Sequence, residues 1–296
     1  MEILEIAEKT GVLFYRRRYG NGFRPHISMR IDGVDFHIDT SPGRGYNIIT
    51  HAHTDHHGLR NIKNFRAIAS CETSVILSAI SGENFRGIVH EIGEKLEIKG
   101  IEIDTFPTSH MDGSSAYFFR DYGILVTGDV KRFEKLPECE ILVTEATYGH
   151  PSNRFVDEID RVVESARKGL ELGAYPIGKA QRVARILASN DVGFRVDDER
   201  ISRLCSVLGI EHEEGDARII PPKKVVNGYV LSAQTFYRNR IVFSDHIDYR
   251  GIIELIDHCS PSYVIFYHGN PTRKLLQDAE SMGTRSLTLK DVDVHL

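Results

Sequence analysis

The stretch Thr50-His51-Ala52-His53-Thr54-Asp55-His56-His57-Gly58 decides how this chain is read. It sets His51, His53, Asp55 and His56 directly after the apolar segment Tyr46-Asn47-Ile48-Ile49. A strand ending in such a cluster brings several donors to one point on the rim of a sheet. Neutral imidazole together with carboxylate is the donor set that Zn²⁺ and related divalent ions take.

Working outward, the same arrangement recurs. Ile101 to Phe106 leads to His110, Ile124 to Thr127 runs into Gly128-Asp129, and Glu140 to Thr144 runs into Glu145. Later, Ile241 to Phe243 runs into Ser244-Asp245-His246, and Tyr263 to Phe266 into Tyr267-His268-Gly269. Upstream, Val34 to Asp39 ends in the turn Thr40-Ser41-Pro42-Gly43. A single His or Asp at a strand end is usually a cap or turn residue. Several at equivalent positions imply side chains converging on one sheet edge, which is how metal sites are assembled from distant sequence. His57, His90, His150 and His258 have no such placement and read as structural or surface residues.

The rest of the chain frames that edge. Its 296 residues, 41% hydrophobic and 27% charged, suit one large globular domain or two modest ones. No apolar run reaches the roughly 20 residues that span a bilayer. The acidic start, Met1 to Gly11, has no signal-peptide core, so the expected location is cytoplasmic with no membrane partner. Cys71, Cys139, Cys205 and Cys259 are far apart and read as reduced thiols. A net charge of −5 does not advertise a nucleic-acid binder, although basic residues cluster at Arg16-Arg17-Arg18 and at Lys179 with Arg182.

Strand patterns dominate the first half, with a helix expected over Cys71 to Ile80. From Pro151 the texture turns helical: Phe155, Ile159, Val162, Val163, Ala166 and Leu170 recur at helical spacing, and further helices are expected over Lys179–Ala188 and Asp197–Leu208. His212 falls in an acidic loop and is expected in solvent. The expected organisation is therefore a first segment 1–150, an inserted domain 151–224 and a return segment 225–296.

With these residues in hand, the chain resembles the metallo-β-lactamase superfamily and, within it, the β-CASP nucleases of the small archaeal and bacterial exonuclease type. Those are related to the mRNA 3′-end processing endonuclease and to DNA-ligase-associated exonucleases. His51-Ala-His53-Thr-Asp55-His56 matches the HxHxDH motif, His110 the next ligand motif, Asp129 the bridging carboxylate, and Asp39 the strand-end Asp that supports the ligand loop. Glu145, His246 and His268 match motifs A, B and C. Gly178-Lys179-Ala180-Gln181 resembles a segment of the inserted domain.

The resemblance implies an α/β fold: a four-layer αβ/βα sandwich with a short inserted cap domain. It implies two divalent ions, Zn²⁺ or alternatively Mn²⁺. One would be held by His51, His53 and His110, the other by Asp55, His56 and His268, with Asp129 bridging. The implied activity is exonucleolytic hydrolysis of RNA or single-stranded DNA by a bridging hydroxide, with Asp55, Asp129, Glu145 and His246 catalytic and His246 as general acid. Apart from the resemblance, Lys179, as a point charge, and the backbone amides near Gly113 to Ser115, those of Ser114 and Ser115 among them, are expected to neutralise phosphate oxygens. A homodimer or a processing or repair complex is the implied assembly. A small-ester hydrolase and a non-catalytic scaffold are the competing readings. The motif A to C set argues against the first, and the complete ligand set against the second.

Overall fold

A computed structural model describes residues 2–293. They divide into two compact units, 2–154 with 246–293, and 155–245.

The first unit holds two sheets. One has six strands in the order Val12–Tyr15, Ser28–Ile31, Val34–Ile38, Tyr46–Ile48, Ala67–Ser70 and Ile88–His90. The other has seven, in the order Arg285–Thr288, Tyr263–Gly269, Ile141–Ala146, Ile124–Gly128, Ser115–Phe119, Ile101–Pro107 and Lys95–Ile98. Alternating apolar residues from both sheets share one core, which includes Phe14, Met29, Phe36 and Ile48 from the first and Tyr117, Phe119, Val143 and Ile265 from the second. Phe36 and Phe119 meet across it edge to face, with ring centroids 5.1 Å apart.

The opposite face of the seven-stranded sheet, at Leu125, Leu142, Val264 and Phe266, packs against the helices Tyr249–Cys259 and Arg273–Ser281. The helix Cys71–Ser81 lies against the first sheet at Ala67–Ser70. Its Ser70 cap accepts a hydrogen bond from the Thr73 amide, and its buried side includes Ile76 and Leu77. Helix, sheet, sheet, helix: the unit is the four-layer αβ/βα sandwich. The helix Glu2–Thr10, which no pattern in the sequence analysis marks, precedes the first strand.

Strand direction places the chemistry. Val34–Ile38, Tyr46–Ile48 and Ala67–Ser70 run parallel in the first sheet. Ile124–Gly128, Ile141–Ala146 and Tyr263–Gly269 run parallel in the second. Parallel neighbours end on the same edge, so Asp39, His51, Asp129, Glu145 and His268 all fall at C-terminal strand ends. At Gly128, φ is +67°, and a Cβ there would lie 2.6 Å from the Thr50 side chain. Only glycine lets this strand approach the histidine loop so closely.

The second unit is a five-stranded parallel sheet, in the order Phe194–Val196, Ala217–Ile220, Glu171–Gly173, Gly228–Leu231 and Arg240–Ile241. The helices Ile159–Arg167, Lys179–Ala188 and Glu199–Val207 contribute to its core. The sequence suggested a return to the main domain at 225. Strand pairing instead keeps 228–231 and 240–241 in this sheet, with Val230 opposite Arg240. His212 is exposed as expected, but it stacks on Phe194 with ring centroids 4.2 Å apart.

Candidate metal centre

The centre belongs wholly to the first unit, and Asp39 organises it. This residue follows Val34–Ile38 at φ +48° and is fully buried. Its Oδ1 accepts from the Thr50 amide at 2.8 Å. Its Oδ2 accepts from Thr50 Oγ1 at 2.7 Å, His56 Nδ1 at 2.8 Å and Tyr267 Oη at 2.8 Å. Burial alone would raise the Asp39 carboxyl, but the His56 imidazole with its hydrogen bond, and the Thr50 amide, hold it below the ordinary carboxylate range. Burial and the Asp39 charge push the Tyr267 phenol well up, so it stays a donor.

These bonds fix tautomers. With Nδ1 committed to Asp39, a neutral His56 would carry its lone pair on Nε2; against its burial, the Asp129 and Asp39 carboxylates push this imidazole well above its ordinary range, so metal binding there displaces a proton. Thr50 spends its hydroxyl proton on Asp39, so its oxygen accepts from His51 Nδ1 at 3.0 Å and leaves His51 Nε2 bare. A metal ligand whose second nitrogen is anchored in this way is oriented before any ion arrives.

The ring nitrogens converge. His51 Nε2 and His110 Nε2 each lie 3.1 Å from His53 Nδ1. Asp129 Oδ2 is 3.6 Å from both His51 Nε2 and His110 Nε2, and 3.4 Å from His56 Nε2. Donors about 2.1 Å from a tetrahedral Zn²⁺ sit about 3.4 Å apart, so His51, His53, His110 and Asp129 fit such an ion. Among the described residues, His56 Nε2 and Asp129 Oδ1 are buried without a hydrogen-bond partner. Polar atoms left bare in a buried site are the mark of a missing partner. Burial, then the neighbouring His56 imidazole, holds His51 well below its ordinary range, the state in which a nitrogen binds metal.

The second group is looser. His268 Nε2 lies 3.9 Å from Asp55 Oδ2, and the Asp55 side chain is 64% exposed. His26, which the sequence reading passed over, comes in instead. It is buried at φ +64°, stacks on His56 with ring centroids 5.1 Å apart, and places Nε2 3.1 Å from His268 Nδ1. Its Nδ1 meets the Asp39 carbonyl oxygen. Burial, with the His56 imidazole adding to it, brings His26 down to about 4. No spacing rule marks it: a lone His after Pro25 reads as a turn. Only the sheet pairing brings it in, through the Ile38 amide bonded to the Ile27 carbonyl at 3.0 Å, which sets His26 beside Asp39.

Beside the ligands stands a pair. His246 Nδ1 lies 2.8 Å from Glu145 Oε2 and 3.0 Å from Oε1, and Glu145 Oε1 also accepts from the Val130 amide at 2.7 Å. His246 Nδ1 is 3.9 Å from Asp129 Oδ2.

The remaining expected site residues are held by other contacts. The Ser114 amide donates to the Met111 carbonyl at 3.0 Å and the Ser115 amide to the Thr50 carbonyl at 2.9 Å, and both residues are buried. In the second unit, Lys179 Nζ pairs with Asp245 Oδ2 at 2.9 Å and donates to the Phe243 carbonyl at 3.1 Å.

A family model described as the Zn-dependent metallo-hydrolase RNA specificity domain matches residues 238–289, a span that includes His246 and His268. No curated protein matches the chain significantly. Similar solved structures include two at low identity. One is Igni18, a metallo hydrolase from the hyperthermophilic archaeon Ignicoccus hospitalis, at 13% identity and TM-score 0.43 over 90% of this chain and 92% of that one. The other is the E377D mutant of the CmlA beta-hydroxylase, at 15% identity and TM-score 0.45 over 96% of this chain and 52% of that one. The His51 to His56 cluster, His110 and Asp129 thus gather at one sandwich edge, and residues 238–289 are similar to the RNA specificity domain of Zn-dependent metallo-hydrolases.

Proposed function

We propose that this chain is a dinuclear metal-dependent phosphodiesterase that hydrolyses RNA or single-stranded DNA, as an exonuclease. The observation that carries the reading is the Glu145–His246 pair, set against the convergent His and Asp donors. A hydrolase of small esters can work from the ligand set alone. Phosphodiester hydrolysis also gains from a proton delivered to the departing sugar oxygen.

His51, His53, His110 and Asp129 would hold one ion, and His56, His268 and Asp55 the other, with Asp129 shared. When bound, such ions supply a nucleophilic water usable at neutral pH and neutralise charge on the phosphate. Asp39 keeps His51 and His56 facing inward. Glu145 holds His246 with Nδ1 protonated, so Nε2 is the atom that passes a proton to the leaving oxygen. The description of the matched family model as an RNA specificity domain favours a nucleic-acid substrate.

Hydrolysis of bis(p-nitrophenyl) phosphate set against p-nitrophenyl acetate and a simple lactone tests the class. Phosphodiester turnover lost on chelation supports it; ester or lactone turnover alone assigns a small-ester hydrolase.

A further inference from the structure

We propose that His26 is a positioning residue that fixes the tautomer of His268, so that Asp39 governs the second group of ligands through its backbone as well as its carboxylate. The chain of donors is set by one fact: a carbonyl oxygen only accepts. His26 Nδ1 faces the Asp39 carbonyl and must carry the proton. A neutral imidazole then has a bare Nε2, and that atom lies 3.1 Å from His268 Nδ1. His268 Nδ1 therefore donates, and its lone pair is on Nε2, the atom facing Asp55 at 3.9 Å.

The surroundings enforce this arrangement. His26 is 6% exposed, lies between His56 and Tyr267, and takes a left-handed backbone conformation that brings its ring under the ligands. Non-glycine residues at such φ values cluster where structure serves a site. Asp39 thus reaches His56 directly, His51 through Thr50, and His268 through His26. Partners of this kind typically govern 10- to 100-fold in metal affinity.

The inference rests on the reading of His268 as a ligand, and the experiment separates the two. Long-range ¹⁵N correlation spectra of the histidine rings in metal-free protein, with the His268 signal assigned from His268→Gln, report the tautomer without any ion. The expected spectrum shows His268 protonated at Nδ1; protonation at Nε2 overturns the proposal. Zn²⁺ titration of His26→Leu should then show the weaker equivalent bound 10- to 100-fold less tightly with the tighter one unchanged. His26→Gln, whose amide can donate to the carbonyl and accept from His268, should recover most of that loss. Unchanged binding in His26→Leu, or Gln no better than Leu, overturns the relay and in the second case makes His26 a direct ligand. A wild-type protein that takes up no second equivalent would sink the ligand reading instead, and the spectrum would still decide the relay.

Discussion

His246 Nδ1 faces both carboxylate oxygens of Glu145, at 2.8 and 3.0 Å, which sets the orientation of the imidazole. The proposed reading gives His246 proton transfer rather than metal holding, although it stands with Asp129 and Glu145 in a group that could hold an ion. His246→Ala should lower turnover by about 10²- to 10⁴-fold, the range expected for losing a general acid, while bound metal stays at the wild-type level. Elemental analysis beside steady-state kinetics checks both halves. Metal lost along with activity would recast His246 as a ligand.

Asp129 stands within 3.6 Å of three imidazole nitrogens. On the proposed reading, removing its carboxylate takes a donor from both ligand groups. Asp129→Ala is expected to abolish metal retention and hydrolysis together, with far-UV circular dichroism unchanged because the shared core of the two sheets is untouched. His53→Ala should act through the first group and give the same loss of hydrolysis.

Asp39→Asn keeps the shape and changes the sign of one atom. Three donors meet Oδ2 and one meets Oδ1, so either orientation of the amide sets an NH₂ group against a buried donor. Each such clash costs about 1–3 kcal/mol. Thermal denaturation should show a fall in Tm of several degrees, and Zn²⁺ affinity should drop by about 10- to 100-fold. Unchanged affinity with a lowered Tm would confine Asp39 to the scaffold.

His37 gives a pH signature away from the ligands. It is buried, its Nδ1 lies 2.9 Å from Ser28 Oγ, and burial with the Arg17 charge brings it down to about 4. The unfolded chain binds its proton near pH 6.5 and the folded one only near 4, so stability is complete above 6.5 and falls as the pH drops between those values. His26 titrates the same way. Denaturant unfolding at pH 7, 5.5 and 4 should show a progressive loss, on the order of 3 kcal/mol for each buried imidazole. His37→Gln should flatten the curve, and an identical curve would remove His37 from the account.

The sandwich and most of the ligand edge were legible in the sequence because they rest on local signals. Apolar strands ending in His, Asp or Glu mark themselves, as at Ile48 to His51 and Val126 to Asp129. What escaped depends on pairing between distant segments. His26 joins the site only because Ser28–Ile31 pairs with Val34–Ile38. The end of the inserted unit was misplaced for the same reason. The strand Gly228–Leu231 reads like any other, and only its pairing with Glu171–Gly173 assigns it to the second unit. Lys179 shows a further limit: sequence marks a cation but not the Asp245 carboxylate waiting beside it.

The central claim, metal-dependent cleavage of a nucleic-acid phosphodiester, is tested most directly on end-labelled single-stranded RNA and DNA. Protein of known metal content is compared with chelated protein and with Asp129→Ala. The account predicts a product ladder from at least one of the two substrates, present with metal and absent in both controls. A protein carrying its full metal complement that leaves both substrates intact, or an Asp129→Ala variant that cleaves as well as the wild type, would contradict it.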